Sequence, residues 1–522
     1  MKSAIRNYVF LFFGSLLFHL AGTWSLPLID RDEPRFAEAS REMTERGDYI
    51  VPRFNNQLRL DKPPLAYWAQ AASYRIFGEN DFAARFPSAL AAALTALSIF
   101  AWGTRIGGEK VGWWAAIIFT LSLQTFLHAK AAVADMWLVL FMTIAHRSGF
   151  ELIQRPTPIN REHALNSDKS RACVQLRKFS RAGSSTLNQA AAASKPPWAI
   201  CKSLLFVFYP ALALGFLAKG PIAWTPLLTV SAVIIYARDW PLVRRFKFLP
   251  GLLLTLAVVA LWGIPALIQT HGEFFTVGIG RHVIGRSFAT MEGHGANSLG
   301  MYLLLLPFYF VTVFVSFFPW SIKLPWLTKN LWRRRDSIDN YLITGVAIIF
   351  VIFSLIKTKL PHYTLPAFPL LALLLARHWQ GAEIGENRRS LFASIAVTTA
   401  CVWFAIALAI PPMVARFFPA YQLLQVSSAS LAPNMQFASV EFEEPSLVWY
   451  FRSRVKGFLT PLNKLRATEF MSASGPHFII LPTPVAGTLF ANSPQHWKFF
   501  STSGFNIAKG KRVDLTLVLK SE

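Results

Sequence analysis

The sequence predicts an all-helical protein that crosses a membrane many times and ends in a small mixed α/β domain. Three observations support this fold class. First, 53% of the 522 residues are hydrophobic and only 15% are charged, whereas soluble proteins usually have about a quarter of their residues charged. Second, the hydrophobic residues form runs of the length that a helix needs to cross a bilayer. Third, 52 lysines and arginines exceed 28 acidic residues and lie mainly between those runs, as in multi-span membrane proteins.

The same composition excludes other classes of protein. A net charge of +24 in a soluble protein would suggest nucleic-acid binding, but here the basic residues alternate with apolar runs, so we expect no nucleic-acid partner. A chain this apolar is not intrinsically disordered, because it buries surface readily. Three cysteines cannot build a disulfide framework. The N-terminal apolar run is too long for a typical signal peptide, so we predict that it is retained as the first span.

About eleven apolar runs satisfy the length expected of membrane-spanning helices. They are residues 8–28, 87–102, 111–128, 132–146, 203–218, 221–236, 249–268, 300–319, 341–356, 365–379 and 391–412. The halves of the pairs within 111–146 and 203–236 are short, so the number of spans depends most on these two regions.

The loops between the spans have a consistent charge pattern if the N-terminus is cytoplasmic. The loops predicted to face the cytoplasm are 103–110, 147–202, 237–248, 320–340 and 380–390. They contain arginine clusters such as Arg333, Arg334 and Arg335, as the positive-inside rule requires. The predicted domains are therefore a transmembrane domain, residues 1–412, with a basic cytoplasmic loop at 147–202, and an outer α/β domain, residues 413–522.

The first outer loop, residues 29–86, is too long to be a simple turn between spans. Pro34 suits the first turn of a helix that Gly47 ends, and a second amphipathic stretch ends at Gly78. We expect both helices to lie at the membrane surface. The aromatic residues that suit such an interface are Tyr67, Trp68 and Tyr74.

Carboxylates on the predicted outer side are candidates for chemistry. Asp32 and Glu33 directly follow the first span, where either of them could instead cap the next helix. Asp61 lies in the same loop, and Asp135 lies near the outer end of the fourth span. A carboxylate inside a span costs at least ~2.5 kcal/mol and is a functional residue by default. These four acids therefore define the candidate site.

Basic residues on the outer side form a second group of candidates. Positive-inside sorting disfavours them there, but a phosphate ligand would explain them, because arginine binds phosphate bidentately and lysine acts as a point charge. The group includes Arg35, Lys62, Lys219, Arg281, Lys359 and His362. The alternative is pairing with acidic residues in a solvated network, which we favour for Arg41 and Arg46. We predict that His128 and Lys130 lie at the membrane interface.

Several of these segments resemble the GT-C membrane glycosyltransferases that use polyprenyl-phosphate sugars. The matching segments are 31–38 (RDEPRFAE), 61–65 (DKPPL), 80–88 (NDFAARFPS), 219–221 (KGP) and 357–366 (KTKLPHYTLP). The groups most similar are the lipid A aminoarabinose transferases and the bacterial members of the dolichyl-phosphate-mannose protein mannosyltransferase group. The resemblance is strong over about 29–135, moderate at 205–225 and 270–366, and weak in the tail.

The resemblance implies a GT-C fold, a sugar donor linked to a lipid phosphate, and an acceptor reached from the periplasmic side of a bacterial inner membrane. It also implies a divalent metal in many members, no organic cofactor, and contact with membrane lipids. Asp32 matches the position held to be catalytic, and Arg35 and Lys62 match positions associated with the donor phosphate. Asp32 and Asp61 are the candidate metal ligands, although some relatives have glutamate at the position of Asp61.

The predicted site combines these matches with the residue types. Asp32 and Asp135 are assigned to catalysis. The residues assigned to the donor phosphate are Arg35, Lys62, Arg281 and Lys359, with Arg281 matching only loosely. The residues assigned to support them are Glu33, Asp61, His362 and Tyr363.

The sequence leaves three functions open. The first is sugar transfer to lipid A or a related envelope glycolipid, and the second is the same chemistry on a Ser/Thr hydroxyl of a secreted protein. A hydroxyl acceptor needs a general base, which would be Asp32, whereas a phosphate acceptor is already ionised. The third is a flippase for a lipid-linked sugar. Transporters often contain paired inverted repeats, and the sequence shows no internal repeat, so we favour the flippase least.

Overall fold

The computed structural model describes residues 2–154, 197–285, 298–383 and 389–521. Most of the predicted cytoplasmic loop 147–202 lies outside the described residues. Within them the chain is mainly helical, as predicted.

The helices of the first half belong to the first outer loop and to the start of the bundle. They are α1 (Lys2–Leu20), α2 (Glu33–Arg46), α3 (Leu65–Phe77), α4 (Asp81–Gly107), α5 (Glu109–Leu121), α6 (Leu123–His128), α7 (Asp135–Gln154) and α8 (Pro197–Lys219). A two-stranded hairpin, β1 (Arg53–Phe54) and β2 (Gln57–Leu58), lies between α2 and α3.

The helices of the second half complete the bundle. They are α9 (Thr225–Ala237), α10 (Pro241–Phe246), α11 (Phe248–Gln269), α12 (Leu299–Leu304), α13 (Phe308–Ser316), α14 (Leu324–Arg333), α15 (Ser337–Leu355), α16 (Phe368–Glu383) and α17 (Arg389–Ala415). Short 3-10 helices occupy Pro221–Trp224, Trp320–Lys323 and Pro361–Ala367, and Phe274–Gly285 is a π-helical segment. Each of the eleven predicted apolar runs contains helix, because in a bilayer a helix satisfies its own backbone groups. The first run, predicted over 8–28, is helical only to Leu20.

Five helices are long and apolar enough to cross a membrane by length and composition. They are Asp81–Gly107, Asp135–Gln154, Pro241–Gln269, Ser337–Leu355 and Leu391–Ala415. Two of the predicted runs are interrupted: Ser122 separates α5 from α6, and Pro307, which has no backbone N–H to donate, lies between α12 and α13. The fold is thus the predicted helical membrane bundle, and the number eleven remains a prediction.

Small residues hold the central helices close together. Gly103 of α4 faces Gly112 of α5, and a Cβ atom added at Gly103 would lie 2.7 Å from the Gly112 Cα atom. Such close backbone contact, made possible by small residues, is how membrane helices pack tightly.

The C-terminal part contains the predicted mixed α/β structure. Its helices are α18 (Pro419–Ser427), α19 (Pro445–Phe451), α20 (Lys464–Ser472) and α21 (Thr483–Leu489), and its strands are β3 (Gln436–Val440), β4 (Leu459–Leu462), β5 (His477–Pro482), β6 (Lys498–Asn506) and β7 (Lys511–Lys520). The strand order is β4-β3-β5-β7-β6, with β4, β3 and β5 parallel and β7 antiparallel to both of its neighbours. The predicted boundary at residue 412 stays a prediction.

A buried charge network joins this C-terminal part to the first outer loop. Arg41 donates to Glu38 at 2.7 Å and to the Trp449 carbonyl at 2.9 Å, and its guanidinium lies 3.9 Å from the centre of the Trp449 ring. Arg452 pairs with Glu38 and with Glu45. The predicted acidic pairing of Arg41 is confirmed, but Arg41 is only 1% exposed, so the network is buried between two parts of the protein and not solvated.

The two helices of the first outer loop are confirmed, with one correction. Gly47 ends α2 in the left-handed conformation and Gly78 ends α3. Tyr67 and Tyr74 were predicted at a membrane interface, but both are buried, because α3 packs this face against α2 and α4. Of the three aromatic residues, only Trp68 is part-exposed.

Candidate active site

Four polar side chains meet at one end of the bundle. Lys219 Nζ lies 2.5 Å from Asp135 Oδ1, and His362 Nε2 lies 3.9 Å from the same oxygen. The ring of His128 is 4.9 Å from the ring of His362, centre to centre. We call these four residues the Asp135 cluster.

Helix ends place each member of the Asp135 cluster. Asp135 begins α7, Lys219 ends α8, and His128 ends α6. A carboxylate is favoured at a helix N-terminus and a cation at a C-terminus, because the helix dipole places partial positive charge at the first end and partial negative charge at the second. Gly220 then turns the chain with a φ of +84°. His362 comes from the 3-10 helix Pro361–Ala367.

The histidines of the Asp135 cluster are held neutral. Burial lowers the pKa of the His362 imidazole to about 3, and the nearby Asp135 carboxylate opposes this only in part. Burial also lowers the pKa of His128, again against Asp135. Lys219 is therefore the cation that pairs with Asp135, and the two imidazoles can act as hydrogen-bonding groups.

The Asp135 cluster also contains three possible metal ligands. His128, Asp135 and His362 each offer one ligand atom, and the three atoms lie within 4.8 Å of one another. Two imidazoles and a carboxylate suit Zn²⁺ chemically. The Lys219 ammonium, however, already holds the Asp135 oxygen that faces His362. This fixed ammonium would repel a divalent ion. The three side chains are therefore of the right chemical type for a metal, but the positive charge of Lys219 beside them opposes metal binding.

Two apolar grooves meet at the Asp135 cluster. The first has a volume of about 450 Å³ and is lined by Leu227, Ile352, Phe353 and Tyr363 among others. The second, of about 430 Å³, is lined by Leu256, Trp262, Phe274 and Phe275 among others. Lys62, Lys219 and Pro221 line both grooves. Two lysines thus stand where two apolar channels converge.

Asp32 lies next to this region, at the N-cap position of α2. Its side chain accepts no hydrogen bond from the first turn of that helix, so capping does not engage the carboxylate. The carboxylate is exposed and close enough to His128, Arg59 and Tyr67 to influence the pKa of each. The predicted catalytic role of Asp32 stays a prediction.

Glu33 is buried, and both of its carboxylate oxygens are occupied by hydrogen bonds within the protein. Its two oxygens pair with Arg85 at 2.9 and 2.7 Å and accept backbone N–H groups from Ile29 and Ala132 at 2.8 and 2.7 Å. Glu33 and Arg85 are almost fully buried. The pair fixes the start of α2 against α4 and against the turn before Asp135.

Arg59 is a site residue that the sequence analysis missed. It donates to the Tyr67 hydroxyl at 2.9 Å and lies 3.3 Å from Asp61 Oδ1. Its guanidinium also stands 5.1 Å from the centre of the Phe36 ring. Arg59 lies in an extended segment without periodicity, so nothing in the local sequence indicated that it would turn toward Asp61. Lys219 was predicted to belong to the outer-side basic residues but was not assigned to the site.

The remaining predicted cations are dispersed. Lys359 is buried and donates to the carbonyls of Phe353 and Ser354 at the end of α15, and burial lowers its pKa to about 8. Arg281 is exposed and Arg35 is half-buried. Their predicted contacts with a donor phosphate stay predictions.

His128 and Lys130 both have partners inside the protein. His128 belongs to the Asp135 cluster, and the predicted position of both residues at the membrane interface stays a prediction. Lys130 donates to three carbonyls at the end of α1, those of Phe18, His19 and Ala21, at 2.7 to 3.0 Å. Its side chain satisfies a helix C-terminus inside the protein, because the free carbonyls there attract a cation.

Known proteins share this arrangement of helices and much of its sequence. A protein of Edwardsiella ictaluri named undecaprenyl phosphate-alpha-4-amino-4-deoxy-L-arabinose arabinosyl transferase is 29% identical over 365 residues, which are 69% of this chain and 57% of that protein. Residues 61–158 match the family described as dolichyl-phosphate-mannose-protein mannosyltransferase. The crystal structure of ArnT from Cupriavidus metallidurans bound to undecaprenyl phosphate matches with a TM-score of 0.74, covering 98% of both chains at 18% identity. The chain is thus similar in sequence to these transferases and similar in fold to ArnT.

The GT-C likeness extends beyond the region of highest identity. A protein of Enterobacter sp. (strain 638) with the same name as the Edwardsiella protein is 27% identical over 482 residues, which are 90% of this chain and 74% of that protein. The chain spans little more than half the length of the Edwardsiella protein. The ArnT match covers the whole GT-C fold, including the C-terminal part.

Proposed function

We propose that the protein is an integral-membrane glycosyltransferase of the bacterial inner membrane. It moves a sugar from undecaprenyl phosphate to lipid A or a related envelope glycolipid on the periplasmic side. The observation that carries the proposal is the meeting of two apolar grooves at Lys62 and Lys219, beside Asp135. Each groove suits one lipid chain, so two lipid substrates can bring their polar ends together there. The names of the relatives favour 4-amino-4-deoxy-L-arabinose as the sugar.

The charges at this meeting point suit a departing lipid phosphate. Lys62 and Lys219 line both grooves, so positive charge faces the position where the donor phosphate would lie. Fixed cations stabilise the negative charge that develops on a leaving group, since they need no rearrangement during the reaction. Asp135 holds the Lys219 ammonium in place. Arg35 and Arg281 remain further candidates for the phosphate.

The proposed reaction breaks one bond and forms one. The bond from the anomeric carbon to the phosphate oxygen breaks and its electron pair stays on the phosphate, while the acceptor oxygen bonds to the anomeric carbon. If the acceptor is a hydroxyl, Asp32 takes its proton as general base. If it is a phosphate, no proton has to move and Asp32 orients the acceptor. A single displacement inverts the anomeric configuration.

A second candidate function is transfer to a protein hydroxyl. The match of residues 61–158 to the protein mannosyltransferase family supports this candidate. A peptide acceptor, however, has no lipid chain to occupy the second apolar groove. We therefore place the glycolipid acceptor first.

The test is sugar transfer by the purified full chain and by its Asp32→Asn variant. Radiolabelled undecaprenyl-phosphate aminoarabinose is supplied together with lipid A and a serine-rich peptide. We expect wild type to label lipid A, and Asp32→Asn to bind the donor but to transfer the sugar more slowly. If the labelled group of the acceptor is a hydroxyl, the loss of the base should lower the rate by roughly 10²-fold or more, since general bases contribute about 10²–10⁴-fold. Asp48→Asn, in the same outer loop, is the matched control and should transfer at the wild-type rate.

The other outcomes each decide against part of the proposal. Label in the peptide alone would keep the enzyme class and replace the acceptor. Full activity of Asp32→Asn on a hydroxyl acceptor would remove Asp32 as the base. No transfer, combined with movement of the donor across proteoliposome membranes, would make the protein a flippase.

Metal dependence is a separate prediction. Because the Lys219 ammonium already neutralises Asp135, we expect EDTA dialysis to leave the transfer rate within about twofold, with no zinc retained by the purified protein in elemental analysis. Asp32 and Asp61, the ligands predicted from the resemblance, do not belong to a three-ligand group within the described residues. Loss of activity on chelation, with recovery on adding Zn²⁺, would show that a metal displaces Lys219.

A further inference from the structure

We propose that the end of the bundle opposite the Asp135 cluster binds an anionic phospholipid from the surrounding membrane. The 27-residue helix α4 links the two ends, and at 1.5 Å per residue it spans roughly 40 Å. Asp81, at one end, lies near the first outer loop, and Gly107, at the other, lines a pocket with arginine side chains. This second site is therefore distant from the proposed chemistry.

The first part of the site is an apolar groove of about 480 Å³ between α13, α14, α15 and α16. Phe314, Leu331, Val346, Ala347 and Leu374 are among the residues that line it. Several residues along it are exposed, including Val351 at 53% and Phe314 at 47%. An apolar groove that opens toward the outside of a membrane bundle is accessible to acyl chains.

The second part is a polar pocket of about 610 Å³ that adjoins the groove. Arg335 lines both the groove and the pocket, and Arg334 and Arg377 also line the pocket. The shared arginine makes the two cavities one amphipathic site, with an apolar part for acyl chains and a basic part for a headgroup.

The charge of the pocket favours an anion. Its two acids, Asp336 and Asp339, are occupied: both pair with Arg377, and His378 Nε2 lies 3.1 Å from Asp339. In the described part of the chain no carboxylate pairs with Arg334 or Arg335, and both are exposed. These two guanidiniums can each bind a phosphate through two parallel hydrogen bonds.

Topology alone does not account for this arrangement. The positive-inside rule explains why arginines follow α14, but not why Arg335 stands at the mouth of an apolar groove. Trp332, beside it, lines the groove and is 86% exposed, as suits a tryptophan at the level of lipid headgroups. Basic pockets between membrane helices are known to bind anionic headgroups. The groove, the tryptophan and the two arginines together fit one phospholipid.

The test is native mass spectrometry of the full chain in detergent with phosphatidylglycerol and, separately, with phosphatidylcholine. We expect wild type to bind phosphatidylglycerol roughly tenfold more tightly than phosphatidylcholine, since each basic residue near a headgroup contributes about as much as a severalfold change in affinity. The variant Arg334→Gln/Arg335→Gln should lose this preference. Ala347→Trp fills the groove and should weaken binding of both lipids.

Controls separate binding from folding. Arg244→Gln removes an exposed arginine from α10, outside this site, and should bind phosphatidylglycerol as wild type does. Melting temperatures in the same detergent show whether each variant folds. Equal binding of the two lipids by wild type, or undiminished phosphatidylglycerol binding by Arg334→Gln/Arg335→Gln, would overturn the proposal. So would displacement of phosphatidylglycerol by undecaprenyl phosphate, or a wild-type dimer that Ala347→Trp dissociates, because the groove would then serve the donor lipid or a second copy.

Discussion

Replacing Asp135 by asparagine is expected to lower the rate of sugar transfer by roughly 10²–10³-fold, the usual effect of removing a preorganised electrostatic contact. The carboxylate holds the Lys219 ammonium at the junction of the two grooves and stands beside His362. Without its charge, Lys219 loses its fixed position and the donor phosphate loses a preorganised cation. The measurement is the initial rate with radiolabelled donor, using purified protein.

Two further variants test whether Asp135 and Lys219 act together. Lys219→Met should lower the rate about as much as Asp135→Asn, and the double variant should lower it little more, because paired residues are not additive. Glu151→Gln changes an acid at the other end of the same helix and should leave the rate unchanged. If Asp135→Asn keeps its rate within about fivefold while it folds and binds donor, Asp135 does not position the reacting groups.

The largest expected effect on stability comes from Arg85→Met, which should lower the free energy of unfolding by about 3–5 kcal/mol. Arg85 pairs through two hydrogen bonds with Glu33 and donates to the carbonyls of Thr23, Leu26 and Pro27. Its removal leaves the Glu33 carboxylate buried without its cation. The measurement is unfolding in detergent, followed by tryptophan fluorescence as denaturant is added.

Arg105→Met is the matched control for this prediction. Arg105 lies on the same helix, α4, but its side chain is 69% exposed and 3.5 Å from Glu151. Exposed ion pairs contribute little, so we expect a change within about 1 kcal/mol. If both variants lose the same free energy of unfolding, burial of the Arg85–Glu33 pair does not determine how much the pair contributes to stability.

Local sequence patterns predicted most of the fold. Every apolar run contains helix, because hydrophobic periodicity and bilayer length are local properties. The pairing of α19 with the first outer loop was not predicted, because Arg452 and Glu38 are 414 residues apart and no local pattern links them. The burial of Tyr74 was not predicted either, because its ring stacks on Trp449, which is also far away in the sequence.

The candidate site was predicted in part for the same reason. Asp135 stood out because a carboxylate in an apolar run is costly. Its contacts with His128 and Lys219 were not predicted, because these two residues come from other helix ends that only the packed bundle brings together. The sequence predicted that Lys359 binds the donor phosphate. In the structure its ammonium donates to backbone carbonyls. The charge of a residue does not predict the direction of its side chain.

The buried network between Glu38, Arg41 and Arg452 also has a consequence for synthesis of the chain. The ribosome makes Glu38 414 residues before Arg452, which at about 5–20 residues per second is an interval of roughly 20–80 s. Throughout that interval the newborn outer loop carries acids whose last partner has not been translated. A chain that terminates early never closes the network, so its outer loop lacks the contacts that Trp449 and Arg452 supply in the full chain. The outer loop beside the proposed active site therefore reaches its final packing only after Arg452 has been translated.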